Sequence, residues 1–369
     1  MLPLMILEAN HIKIKKTRFI VGLFYFYFHL NEKLMMKYLF LISALLISCG
    51  DSNTKKKIVS NFGNTQGTTY SIKYTSPHGI NYQNDIDSIL KAVDLSLSTY
   101  INESIISKIN RNENVIIDSI FKRVFEMAIK IANETYGSFD PTIAPLVNFW
   151  GFGFEEISNK NENKLVNLMQ SVGYKKISIK DGHIVKENPN TQIDFNAIAQ
   201  GFTVDLVGEH LQKLGLTNFM IEIGGEVKCS GLNADEKPWR IGIDKPSEKI
   251  QKKRYQAIIE VSNKAIASSG NYRHYKVDKK TGMKYAHTIN PKTGVPLQTN
   301  LLGVTILTES CMEADALATA FMVMGLETSK QYIKNHPEID ALFIYSNSKG
   351  EWLKYQTKGF ENVSVYQNN

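Results

Sequence analysis

Residues 68–75 (Thr-Thr-Tyr-Ser-Ile-Lys-Tyr-Thr) alternate polar and apolar side chains, which predicts a strand with one buried face. Apolar residues then recur at helical spacing over Asp85–Asn110 and Asp118–Tyr136. In the second of these, Ile120, Val124, Met127, Ala128 and Ile131 form one stripe and Gly137 provides the stop. A third helix is predicted over Glu162–Gly173, and a hairpin over Ile177–Lys186 turning on Asp181-Gly182. Asn196 is placed to cap a helix over Ala197–Leu214 that ends at Gly215. Strand patterns follow at 218–223, 227–230, 239–243, 255–261, 264–268, 284–289 and 302–308. A long helix over Met312–His336 and a last hairpin (341–346 and 352–356) around Lys349-Gly350 complete the body. Long helices between groups of hairpins predict an α+β fold, with mixed or antiparallel sheets packed on helices.

The charge balance separates the chain into an address and a body. The 369 residues carry a formal +7, yet residues 1–57 hold nine Lys/Arg and three acids, so the rest is close to neutral. A near-neutral body argues against nucleic-acid binding. Met36-Lys37, the apolar run Tyr38–Ser48 and Cys49-Gly50 have the anatomy of a secretory signal, too short for a spanning helix. Leu46-Ile47-Ser48-Cys49 resembles a bacterial lipobox, which implies diacylation of Cys49. The expected organisation is a signal region at 1–48, a lipidated Cys and flexible tether at 49–60, and one domain at 61–369. The protein would then be exported and lipid-anchored to a bacterial membrane, facing the periplasm. Residues 1–35 fit poorly upstream of such a signal, so Met35 or Met36 is the expected start. Cys229 and Cys311 remain in the body, and their positions favour two inert buried thiols over a disulfide.

No phosphate-binding GxxxxGK[ST], HExxH, GxSxG or strand-to-helix GxGxxG is present, and the eight His lack metal-ligand spacing. Five polar clusters stand out instead. Asp315 and Thr319 lie one helical turn apart in an otherwise apolar helix, two hard oxygen donors suited to Mg²⁺; by themselves they read equally as a helix-end charge and a hydroxyl bonded back to a carbonyl. Asp194 to Phe202 runs from a strand into a helix start, which suits an anion or simple capping. Gly224-Gly225-Glu226 offers room for a flat ligand or a tight turn. Ser268–Arg273 with His287–Gly294, and Phe139–Thr142 ahead of the aromatic Phe149–Gly153, read as ligand-facing loops or as core. Taken one by one, these clusters name no reaction.

In order along the chain they resemble the ApbE-type FAD:protein FMN transferases. The matching blocks are Gly67–Tyr70, Ser98-Thr99-Tyr100 with Ser104, Phe139–Thr142 through Gly153, Asp194–Gly201 with Asp205, Ile223–Glu226, Ser268-Ser269-Gly270 with Tyr272, His287–Pro296, and Ala314–Ala320. That resemblance implies an ApbE-like fold and Mg²⁺-dependent transfer of FMN from FAD to a Thr or Ser hydroxyl of an acceptor flavoprotein, releasing AMP. The acceptor would be a subunit of a membrane redox complex or an extracytosolic flavoprotein. It also implies Asp315, Thr319 and the Ala197 carbonyl as Mg²⁺ ligands. Thr69, Tyr70, Tyr100, Phe139, Asp140, Asp194, Gln200, Gly224, Gly225 and His287 would form the FAD pocket, and His287 and Asp315 compete for the role of base. Gln200 stands where many relatives carry Lys, and Ser268 where many carry Thr. Mg²⁺-dependent FAD hydrolysis to FMN and AMP, and flavin binding without catalysis, are the alternatives.

Overall fold

In the computed structural model the described residues are 57–153, 161–245, 255–271, 275–277 and 284–367. Cys49, the signal segment, Tyr272 and Arg273 lie outside them. Strands β1 (Lys57–Thr65) and β2 (Thr68–Ser76) open the body, followed by helices α1 (Gln83–Leu97), α2 (Ile105–Asn110), α3 (Ser119–Glu134), α4 (Ala144–Trp150) and α5 (Glu162–Met169). The β3–β4 hairpin (Ile177–Lys180, His183–Lys186) precedes helix α6 (Ala199–Lys213). Seven strands come next: β5 (Phe219–Ile223), β6 (Glu226–Ser230), β7 (Trp239–Asp244), β8 (Tyr255–Val261), β9 (Lys264–Gly270), β10 (Tyr275–Val277) and β11 (Lys284–Ala286). The chain closes with β12 (Leu301–Thr308), α7 (Cys311–Met324), α8 (Leu326–Asn335), β13 (Asp340–Ser346), β14 (Trp352–Gln356), α9 (Lys358–Val363) and β15 (Ser364–Gln367).

The architecture is α+β in three layers. An eight-stranded sheet of order β1-β2-β5-β6-β9-β12-β13-β14 is antiparallel at every pairing. Its two faces are read out by the alternation of β5 and β6. Phe219, Ile221 and Ile223 face a core shared with α1 and α6, whereas Val227 and Cys229 face the three-stranded sheet β15-β8-β7. Helix α7 lies against β9, β12, α6 and α3, and this burial on nearly every side explains why its sequence is apolar almost all round. Cys229 and Cys311 are free and buried, and burial pushes both thiols up and out of reactive range.

Several boundaries differ from the sequence pattern, each for a local reason. The first strand begins at Lys57, so residues 57–60 pair with β2 instead of extending the tether. The helix expected over Asp85–Asn110 is two, because the Ser104 hydroxyl donates to Ser98 O (2.6 Å) and accepts the Ser107 N–H, capping a new start. The helix over Met312–His336 is also two, broken at Gly325, whose φ of 76° and ψ of 171° no helix accommodates. Asn196 does not cap the next helix. Asp194 takes the Asn196 N–H (2.7 Å) and Nδ2 (3.2 Å), and the helix starts only at Ala199. Helix α4 and the C-terminal α9 and β15 were not legible in the pattern.

Phe321 is fully buried in α7, edge-on to Tyr332 at 5.3 Å and stacked near Phe343 at 6.0 Å. We expect Phe321→Ala to lower the unfolding free energy by about 3–5 kcal/mol in denaturant melts. Phe62→Ala, on the exposed face of β1, should change it by less than about 0.5 kcal/mol.

Candidate active site

A cavity of about 520 Å³ opens where the start of α6 and the Asp315–Thr319–Val323 face of α7 meet the ends of β6 and β9. It gathers eight of the residues singled out in the sequence: Phe139, Asp140, Asp194, Ala197, Gln200, His287, Asp315 and Thr319. These come from four separate segments of chain, so only the fold brings them together. Thr69, Gly224 and Gly225 do not line it. They line a second cavity of about 510 Å³ between the two sheets, which shares Ser268, Ser269 and Gly270 with the first. Tyr70 is placed in the core, where its hydroxyl donates to Asp87 (3.2 Å) and accepts from Gln83 (2.7 Å). Tyr100 is 68% exposed; partial burial of its hydroxyl and then the Asp194 charge raise that phenol.

One contact organises the centre. The Gly201 N–H, in the first turn of α6, has no carbonyl of its own helix to bond and donates to Asp315 Oδ2 of α7 at 3.1 Å. Among the described residues the Ala197 carbonyl takes no hydrogen bond, and Ala197 lines the same cavity as Asp315 and Thr319. Only glycine permits this approach, because a Cβ at Gly201 would sit 2.8 Å from Asp315 Cβ and closer still to the Cys311 carbonyl. Asp205, one turn further along α6, fixes the other helix. Its Oδ2 accepts the Ser310 hydroxyl (2.8 Å) and Met312 N–H (3.0 Å), and its Oδ1 accepts Lys228 Nζ (2.6 Å).

The carboxylates around the cavity differ in how far the protein satisfies them. Asp140 is occupied by the Thr142 N–H and hydroxyl and the Tyr174 N–H, so it braces its own loop. Burial raises Asp194, though its two bonds to Asn196 act in the opposite direction. Burial also raises Asp315, to about 7, against the Gly201 hydrogen bond. Glu226 lines the cavity as well and was absent from the expected pocket residues. Burial and then the neighbouring Asp315 charge push it far above the usual carboxylate range. Its position was readable after the fact: β6 alternates Glu226, Lys228 and Ser230 on the helix side, and a polar residue facing a packed helix needs a partner.

The Asp315 carboxylate, the Thr319 hydroxyl and the carbonyl of Ala197, just ahead of α6, are hard oxygen donors, the set a Mg²⁺-like cation takes alongside water and phosphate. Among the described residues no three His, Cys, Asp or Glu side chains converge as a metal cluster, so any cation here is held by one or two carboxylates. The residues present fit such an ion.

Fold and cavity together define an α+β protein with a deep, carboxylate-lined site at the crossing of two helix starts. The ApbE family model matches residues 66–343, and the chain belongs to the ApbE family. A FAD:protein FMN transferase of Vibrio cholerae is 36% identical over 336 residues, covering 89% of this chain and 98% of that one. The Haemophilus influenzae FAD:protein FMN transferase is 36% identical over 297 residues, 76% of this chain and 85% of its own. Among solved structures, the flavin transferase ApbE from Vibrio cholerae superposes with a TM-score of 0.75 at 36% identity, covering 84% of this chain and 99% of its own. The ApbE protein of Thermotoga maritima gives 0.73 at 26% identity, covering 84% and 100%.

The raised Asp315 carboxyl links stability to pH. Its folded value, near 7, lies above the unfolded one, so the folded protein holds that proton more tightly, and stability is lost as pH rises through about 4 to 7. In EDTA, the unfolding free energy should fall by of order a few kcal/mol as pH rises from 4 to 7, with Tm falling alongside, and Asp315→Asn should flatten that fall.

Proposed function

We propose that this protein transfers the FMN portion of FAD to a Thr or Ser hydroxyl of an acceptor flavoprotein, with Mg²⁺ as its cation and AMP as the product released. The observation that carries the reading is the Ala197 carbonyl left open beside Asp315 and Thr319, in a chain whose relatives are FAD:protein FMN transferases. Asp315, Thr319 and the Ala197 carbonyl would hold Mg²⁺, which would neutralise charge on the pyrophosphate oxygens.

The chain's own residues have distinct tasks in this reading. Gln200, Asp194 and Phe139 orient the dinucleotide along the cavity wall, and Gln200 does so without a formal charge. His287 is the better base, because an Asp315 committed to a cation has little basicity left. The acceptor hydroxyl oxygen forms a bond to the FMN phosphorus as its proton passes to the imidazole. The bond from that phosphorus to the bridging oxygen breaks, and AMP leaves with that oxygen. The membrane side of the proposal, an exported protein anchored through lipid at Cys49, rests on the signal anatomy of residues 36–49.

Incubating the protein with FAD, Mg²⁺ and a Thr-bearing acceptor should yield flavinylated acceptor and AMP in equal amounts. Free FMN in place of labelled acceptor would make the protein a hydrolase, and unchanged FAD would make it a flavin carrier. Asp315→Ala should lower the rate about a hundredfold or more while leaving the fold intact by circular dichroism. Full activity in that variant would show the cation assignment to be wrong.

A further inference from the structure

Among the described residues, Glu226 is the one carboxylate of the cavity with a buried oxygen left without a partner. It is 7% exposed, and its Oε2 is buried with no hydrogen-bond partner. The strand pattern makes the contrast plain. On the helix-facing side of β6, Lys228 is matched by Asp205 at 2.6 Å, while Glu226, two residues earlier, faces Asp315 across the cavity. Among the described residues no Lys or Arg lines that cavity, and Gln200 contributes only a neutral amide. The side chain is also held in place from both directions. Glu226 pairs with Ile223 across a turn in which Gly224 and Gly225 take φ of 67° and 113°, and the Gly225 N–H is tied to Glu222 at 2.9 Å. A fixed, buried carboxylate whose Oε2 has no partner and whose one hydrogen bond comes from its own backbone N–H, beside a second carboxylate, calls for positive charge brought in from outside.

We propose that Glu226 is a cation-holding residue, the second carboxylate of the site, gripping the divalent ion together with Asp315 either directly or through one of the ion's waters, a role that rests on the cation site proposed above. It explains why the tight Gly224-Gly225 turn is needed at this sheet end, since a looser turn would not aim the first residue of β6 at the helix crossing. It also gives two carboxylates of opposite origin, one on the sheet and one on α7, a shared object that clamps the layers together.

The test is Mn²⁺ binding by the full-length chain in detergent, stripped with EDTA and free of flavin, followed by loss of the free-ion electron paramagnetic resonance signal. Wild type should bind Mn²⁺, Asp315→Asn should not, and Glu226→Gln should bind at least about tenfold more weakly. Glu226→Asp, which keeps the charge but withdraws it by one methylene, should fall between the two. Because Glu226→Gln removes a like charge from beside Asp315, its Tm in EDTA should be no lower than that of wild type, which separates weak binding from misfolding. If Glu226→Gln binds Mn²⁺ as tightly as wild type while Asp315→Asn loses it, Glu226 holds no cation and the site stands without it. If wild type takes up no Mn²⁺ at all, the cation site itself is wrong and the assignment of Glu226 falls with it.

Discussion

The single hydrogen bond from Gly201 to Asp315 ties together the parts of this protein that matter for chemistry. It joins two helices from distant parts of the chain, and it requires a residue without a Cβ on one of them. It satisfies a first-turn amide of α6 that has no carbonyl of its own helix to bond. Among the described residues it is the one hydrogen bond to this buried carboxylate, whose burial disfavours a full charge. Asp205 supports the same crossing from behind, holding Ser310 and Met312 at the start of α7.

The large sheet makes this crossing possible because its two faces do different work. One face carries α6 and α7 with the carboxylate-lined cavity, and the other carries the smaller sheet with a second cavity. The end of β9, Ser268 to Gly270, belongs to both, so the two spaces are separated by little more than one strand's thickness there. Ser268 is itself fixed by a 2.9 Å hydrogen bond to Thr305 on β12. The wall between the cavities is therefore sheet, a more precise support than a loop would give.

Much of this was legible in the residues, and the failures share a cause. The strand at Thr68, the hairpin at Asp181-Gly182 and the helix stop at Gly137 are local, and local pattern found them. The Asp315–Thr319 pair stood out because polar residues are conspicuous in a helix as apolar as α7. The family motif does not say which face of β2 each residue takes; alternation puts Tyr70 with Ile72 and Tyr74 in the core and Thr69 on the opposite face, at the second cavity. Gly224 and Gly225, in the turn between β5 and β6, line that second cavity too, with Gly224 close against Gln200 of the first. Helix breaks at Ser98–Ser104 and Gly325 interrupt an apolar spacing that continues across them, because what decides them is a side-chain cap by the Ser104 hydroxyl and a positive φ at Gly325. Glu226 escaped because its significance lies in a partner it lacks, and that becomes visible only when the strand and α7 are assembled.

The central claim is that oxygens of Asp315, Thr319 and Ala197 surround one divalent cation at the FAD pyrophosphate. It is tested most directly by a crystal of the protein grown with FAD and Mn²⁺, with anomalous scattering collected at the manganese edge. The account predicts an anomalous peak bounded by those three oxygens, with the pyrophosphate against it. A peak elsewhere, or FAD bound with its pyrophosphate far from an empty Asp315, would contradict it.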